Sequence, residues 1–104
     1  MEISPRQLKA ELDNAAVVRM IDVRETFEFA FVRIDGAENI PLNTIPRFVQ
    51  DADRAQDIVV LCHHGPRSSQ AQAYLLAQGF TSVRNLSGGI DRWAAEVDPS
   101  MARY

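Results

Sequence analysis

Apolar positions fall into short blocks along this chain, and their spacing changes from one block to the next. Leu8 and Leu12 stand four apart, the interval of one helical face, behind Ser4 as a cap and Pro5 at a first helical position. Asp13-Asn14 ends that helix. VVRMIDV (17–23) is mostly β-branched or apolar and predicts a strand. In ETFEFAFVRI, the positions of Phe27, Phe31 and Ile34 fit a helical face, and two acids near the start with Gly36 beyond the end favour a short helix from Glu25. AENIPL (37–42) predicts a short strand stopped by Pro41, and TIPRFVQDA (44–52) a helix with Pro46 in its first turn.

The most apolar block follows Asp57. IVVLC (58–62) has no polar alternation, which predicts a strand buried on both faces, as in a parallel sheet. A helix is expected from Ser68 to Gln78, with Gly79 as its left-handed cap and Phe80 folding back on Leu75. SVRNL (82–86) reads as a strand, Gly88-Gly89 as a tight turn and IDRWAAEV (90–97) as a closing helix. Strands and helices alternate throughout, the pattern of an α/β sheet with helices on both faces.

Composition narrows the field of functions. The 104 residues, 46% hydrophobic and 24% charged, suit one domain with one core, over residues 1–104, and exclude a disordered or fibrous chain. A net charge of −3 argues against a nucleic-acid partner, which needs a basic face. A local anion site is still compatible with eleven Lys+Arg, nearly all of them Arg. No apolar stretch is long enough for a membrane span, and the N-terminus lacks the pattern of a signal peptide. The single cysteine fits a reducing cytoplasm and leaves a free thiol to explain.

That thiol, Cys62, stands where a buried strand gives way to the loop His63, His64, Gly65, Pro66, Arg67 and Ser68. Sites in open α/β sheets form beyond the carboxyl ends of strands. A compact loop entering a helix N-terminus turns several N–H groups inward, and with the helix dipole these favour negative charge, including a thiolate. Gly65 permits an unusual backbone, Pro66 stiffens the loop, and Arg67 offers a planar cationic fork for an oxyanion. The plain alternative is a small buried hydrophobe after a strand, with the histidines at a solvated rim. A metal site built from Cys62, His63 and His64 is disfavoured because adjacent residues rarely converge on one ion. The order of all these residues together favours a nucleophilic sulfur meeting an anionic substrate.

CHHGPRS (62–68) resembles the Cys-x-x-Gly-x-Arg-Ser pattern of the rhodanese family of sulfurtransferases, and DVRETFEF (22–29), GAENIPL (36–42) and LSGGIDRW (86–93) match that family in order. The resemblance implies a rhodanese-like α/β fold, a small, mostly parallel sheet of about five strands with helices on both faces. It implies Cys62 as a nucleophile that takes the outer sulfur of thiosulfate or a related donor as a persulfide, then passes it to cyanide or a thiol, including one on a protein. The loop residues His63 to Ser68 would bind substrate, with Arg67 orienting the donor; no metal or organic cofactor is required, and a monomer is expected. Asp22 and Arg24 are read as braces between loops, and Trp93 as an anchor for the last helix. One departure stands out: many members carry His where this chain has Arg33, in VRIDGA, so that histidine's role does not transfer.

Two rival readings remain open at this point. Phosphatases and arsenate reductases on the same fold carry Cys-x5-Arg loops, whereas Cys62 to Arg67 is Cys-x4-Arg, a smaller ring suited to one sulfur atom. The domain can also be a sulfur-relay or interaction module whose true donor or acceptor is a protein.

Overall fold

The computed structural model describes residues 1–104. Five strands form one sheet: β1 (Glu2–Ile3), β2 (Arg19–Asp22), β3 (Glu38–Asn39), β4 (Ile58–Leu61) and β5 (Val83–Leu86). Their order is β1-β5-β4-β2-β3, and every neighbouring pair is parallel. Four helices connect them, α1 (Pro5–Asp13), α2 (Thr26–Phe31), α3 (Ile45–Phe48) and α4 (Pro66–Ala77), and a fifth, α5 (Gly89–Glu96), follows β5. No helix is long and apolar enough to cross a membrane.

The unbroken apolar run takes the central position, since a strand with no polar face is stable only between two covered faces. All four residues of β4 are fully buried. Alternation along the strand sends Ile58, Val60 and Cys62 into one core with Ile45, Ala71, Leu75 and Phe80. It sends Val59 and Leu61 into a second with Leu8, Leu86, Ile90 and Trp93. Trp93 anchors α5 in that second core, as expected. Cys62 is therefore gripped through its strand from both sides.

The helix ends follow local chemistry. Ser4 Oγ accepts from the Gln7 N–H at 3.1 Å while the Gln7 side chain accepts from the Ser4 N–H at 2.9 Å, a reciprocal cap on α1. At the end of α4 the Phe80 N–H donates to the Leu75 carbonyl at 3.2 Å and the Gly79 N–H to that of Leu76 at 3.1 Å, the left-handed ending foreseen for Gly79.

One strand was not expected: β1 is only two residues long, too short for a periodic signal, and exists through its pairing with β5. Four expectations need correction. The strand expected over 37–42 shrinks to Glu38–Asn39, and the helix expected over 44–52 to α3, preceded by a 3-10 turn at Leu42–Thr44 that Pro41 initiates. The helix expected from Ser68 begins at Pro66, because Gly65 already serves as its N-cap. The largest difference lies in α2. Phe27 and Phe31 are 75% and 60% exposed, and the residue this helix buries is Glu28. A carboxylate turns inward there because three donors await it, as described below.

The Gly88-Gly89 turn brings α5 against the loop after β4. Its first N–H groups bond that loop's carbonyls: Ile90 N–H to Cys62 O at 2.9 Å and Asp91 N–H to His63 O at 3.1 Å. Gly89 has φ +62°, and a methyl group there would lie against the His63 carbonyl and 2.5 Å from the Cys62 carbonyl oxygen. Gly79, at φ +94°, has open space around it. Both Gly→Ala changes impose a left-handed backbone strain of about 1–3 kcal/mol. Only Gly89→Ala must also displace the Cys62–His63 backbone. We expect both variants to unfold at lower denaturant concentration, while only Gly89→Ala changes the rate of Cys62 alkylation by iodoacetamide in the native state.

Candidate active site

Cys62 Sγ is almost wholly buried at the end of β4, where it accepts the Gly65 N–H at 3.0 Å and lies 3.3 Å from Ser68 Oγ. The Gly65 amide is free to face the sulfur while the neighbouring carbonyls are held elsewhere. Those of Cys62 and His63 face α5, and that of Gly65 accepts from Ser69 N–H at 2.8 Å, with Ser68 Oγ 3.1 Å away. Gly65 adopts φ +133°, outside the range comfortable for other residues, which lets the chain reverse into α4. Pro66 has no N–H to offer, so the donors of the first turn are those of Arg67 and Ser68, which have no intrahelical acceptor. The arrangement is a small, donor-lined cup closed at its base by Ser68, itself bonded to Asn85 Oδ1 at 2.6 Å.

The histidines form the rim. His63 stacks on Tyr104 with ring centres 3.9 Å apart and planes 3° from parallel, and its Nε2 is buried without a partner. Burial, and then the neighbouring His64, lower its pKa from the usual histidine value, so the ring is neutral at neutral pH. His64 is mostly exposed, with Nδ1 3.9 Å from an Asp91 oxygen. No cluster of three or more His, Cys, Asp or Glu side chains is arranged to hold a metal ion.

Arg67 does not stand free. Its Nη1 and Nη2 donate to the two oxygens of Glu28 at 2.6 and 3.0 Å. Glu28 also accepts the Glu25 N–H at 2.9 Å and the Tyr104 hydroxyl at 2.8 Å. With Arg67 as the leading cause, these donors hold its carboxyl down at about 2, so it stays ionised at any working pH. The same pairing raises the pKa of Arg67.

Behind this pair lies a second one. Arg24 and Asp22 are both fully buried, and the guanidinium meets the carboxylate through Nη2 at 2.7 Å and Nε at 3.0 Å. The remaining Arg24 donors reach Val32 O at 2.6 Å, Glu28 O at 3.3 Å and Tyr104 Oη at 2.8 Å. Arg24 thereby fastens α2 to the end of β2 and fixes where Glu28 stands. The bracing role expected of Asp22 and Arg24 takes this form. Arg33, at the family's histidine position, is exposed over the Phe29 ring, 4.7 Å from its centre. The C-terminal segment packs back through Tyr104, while Pro99 is exposed.

The seven residues of 62–68 thus gather in one cup and its rim. Reading the sequence alone missed Glu28, Asn85, the place of Tyr104 at the site and the close approach of Gly89. The sequence does hold a signal for Glu28: it lies three residues after Glu25, the capping position of α2, where a carboxylate can turn back toward the helix start. Beside Arg67 a cleft of about 470 Å³ opens between Leu42, Ile45, Pro46 and Tyr74.

A family model described as the Rhodanese-like domain matches residues 4–96. The chain is 37% identical over 101 residues to thiosulfate sulfurtransferase GlpE of Pseudomonas fluorescens, covering 97% of this chain and 91% of that one. It is 38% identical to part of the probable adenylyltransferase/sulfurtransferase MoeZ of Mycobacterium tuberculosis, covering 98% of this chain and 26% of that protein. Among solved structures, a rhodanese-like domain protein of Staphylococcus aureus superposes with a TM-score of 0.84 at 30% identity, covering 100% and 99% of the two chains. The human single-domain sulfurtransferase TSTD1 superposes with a TM-score of 0.85 at 26% identity, covering 91% and 96%. With its parallel sheet, its cysteine cup and a family match running from the first helix to the last, the chain belongs to the rhodanese-like family.

Proposed function

We propose that this protein is a sulfurtransferase that carries one sulfane sulfur on Cys62. The observation that carries the reading is the cup itself, a single cysteine sulfur accepting the Gly65 N–H at 3.0 Å with the start of α4 beside it. Such donors are preorganised for an anionic sulfur and need no reorganisation when charge arrives. Relatives named thiosulfate sulfurtransferase support the same chemistry.

In the first step the Cys62 thiolate attacks the outer sulfur of thiosulfate. An Sγ–S bond forms, the bond between the outer and central sulfur atoms breaks, and its electron pair leaves with sulfite. The new terminal sulfur carries the negative charge, and the loop amides that held the thiolate now face the persulfide. In the second step cyanide or a thiolate attacks that terminal sulfur, the S–S bond breaks toward Cys62, and the thiolate returns. Splitting the transfer this way lets donor and acceptor use one cup in turn. Residues 63–68 line the substrate position, and the cleft beside Arg67 gives an acceptor thiol, free or on a protein, an apolar approach. We take the protein to act as a monomer in a reducing cytoplasm, with residues 1–104 as one domain.

The competing hydrolytic reading requires a loop able to enclose a tetrahedral oxyanion, and the shorter interval from Cys62 to Arg67 gives less room for one. In a thiosulfate:cyanide assay, wild-type protein should form thiocyanate, and Cys62→Ser should lower turnover at least ~10³-fold, the scale for loss of a nucleophile. Hydrolysis of an aryl phosphate should stay at background for both. A phosphatase rate that depends on Cys62 would overturn the assignment.

A further inference from the structure

An arginine in a loop that binds anions invites the view that its charge grips the donor. The geometry here assigns the charge elsewhere. Both terminal nitrogens of Arg67 are held by Glu28, at 2.6 and 3.0 Å. The other guanidiniums around the loop are likewise partnered. Arg24 is buried on Asp22, and Arg103 meets Asp91 at 2.9 and 3.1 Å. His63 is neutral at neutral pH, and the remaining nearby carboxylate, Glu25, is exposed. Each guanidinium near the mouth of the cup is therefore matched by a carboxylate, which leaves the Gly65 N–H and the unpaired N–H groups at the start of α4 to meet a donor's charge.

We propose that Glu28 is a donor-selectivity residue: by neutralising Arg67 it holds down the affinity of the site for dianionic donors and favours sulfane donors of lower charge, such as organic thiosulfonates and hydropersulfides. The proposal rests on the sulfurtransferase reading above and deepens it. The chemistry of the step is unchanged. With methanethiosulfonate, the Cys62 thiolate takes the outer sulfur and methanesulfinate leaves with the electron pair of the broken S–S bond. A hydropersulfide gives up its terminal sulfur in the same way and leaves as a thiolate. What differs among these donors is the charge brought to the mouth, two units for thiosulfate and one for methanethiosulfonate.

Glu28 acts through Arg67 and the local field and does not touch the reacting sulfur, so its signature belongs in KM rather than kcat. Glu28→Gln keeps the shape and an acceptor for the Glu25 N–H while uncovering the Arg67 charge. It should lower the KM for thiosulfate by about tenfold and that for methanethiosulfonate by about threefold, because the logarithm of a Coulombic effect scales with ligand charge. The kcat for each donor should stay within about twofold of wild type. Arg67→Gln should raise both KM values in the same proportion.

The decisive variant is the double one, Glu28→Gln with Arg67→Gln, which replaces a neutral pair by a neutral pair. Its thiosulfate KM should fall between those of the single variants, within about threefold of wild type. If Arg67 were instead a dedicated anion anchor placed by Glu28, Glu28→Gln would raise the thiosulfate KM and the double variant would match Arg67→Gln; either result overturns the proposal. Should Glu28→Gln alone fail to fold, as circular dichroism would show, the double variant avoids an unpaired charge and decides the question by itself. Wild-type protein that turned over neither donor would instead count against the sulfurtransferase reading.

Discussion

Two peptide carbonyls, those of Cys62 and His63, must point away from the sulfur for the cup to exist, and the first N–H groups of α5 hold them there. Buried carbonyls need partners, and the start of a helix has donors without acceptors, so each end satisfies the other. Contact this close is possible only where residue 89 has no side chain. The catalytic geometry thus depends on a helix that begins 27 residues after the cysteine and contributes none of the loop residues. It also explains why the last helix is anchored so firmly, with Trp93 and Ile90 in the core on the other side of β4.

A second layer sets the electrostatics. Asp22 and Arg24 form a fully buried ion pair, and an arrangement of that kind persists only if its remaining donors are satisfied. Arg24 meets that requirement with backbone carbonyls at both ends of α2's last turn and with the Tyr104 hydroxyl. These bonds fix α2, α2 presents Glu28, and Glu28 fixes Arg67. The two pairs read together as a relay of position running from the sheet to the rim of the cup. Tyr104 ties them to the loop, since its hydroxyl joins Arg24 to Glu28 while its ring stacks on His63.

Much of this was legible in the residues. IVVL announced a strand buried on both faces because no polar residue interrupts it, and β4 is the centre of the sheet. Gly79 before Phe80 announced a particular helix ending, and the hydrogen bonds agree. The loop after Cys62 was legible as a unit because strand, glycine, proline and helix follow one another without a gap. What escaped notice depends on contacts across the chain. Periodicity assigned Phe27 and Phe31 to the buried face of α2, yet the pull on that helix comes from Arg67, 39 residues beyond Glu28. Short strands such as β1 carry no periodic signal, and nothing in SVRNL marks Asn85 as the residue that meets Ser68. Hydrophobic patterning reports where oil is buried; it is silent where a carboxylate is drawn inward by donors from elsewhere.

The central claim is that the cup holds a sulfur atom on Cys62. Mass spectrometry of the intact protein after incubation with thiosulfate tests it most directly, followed by digestion to locate the added mass. The account predicts a gain of one sulfur atom on the peptide containing Cys62, lost again when cyanide is added and recovered as thiocyanate. An unchanged mass with thiosulfate, methanethiosulfonate and an alkyl hydropersulfide alike would contradict it.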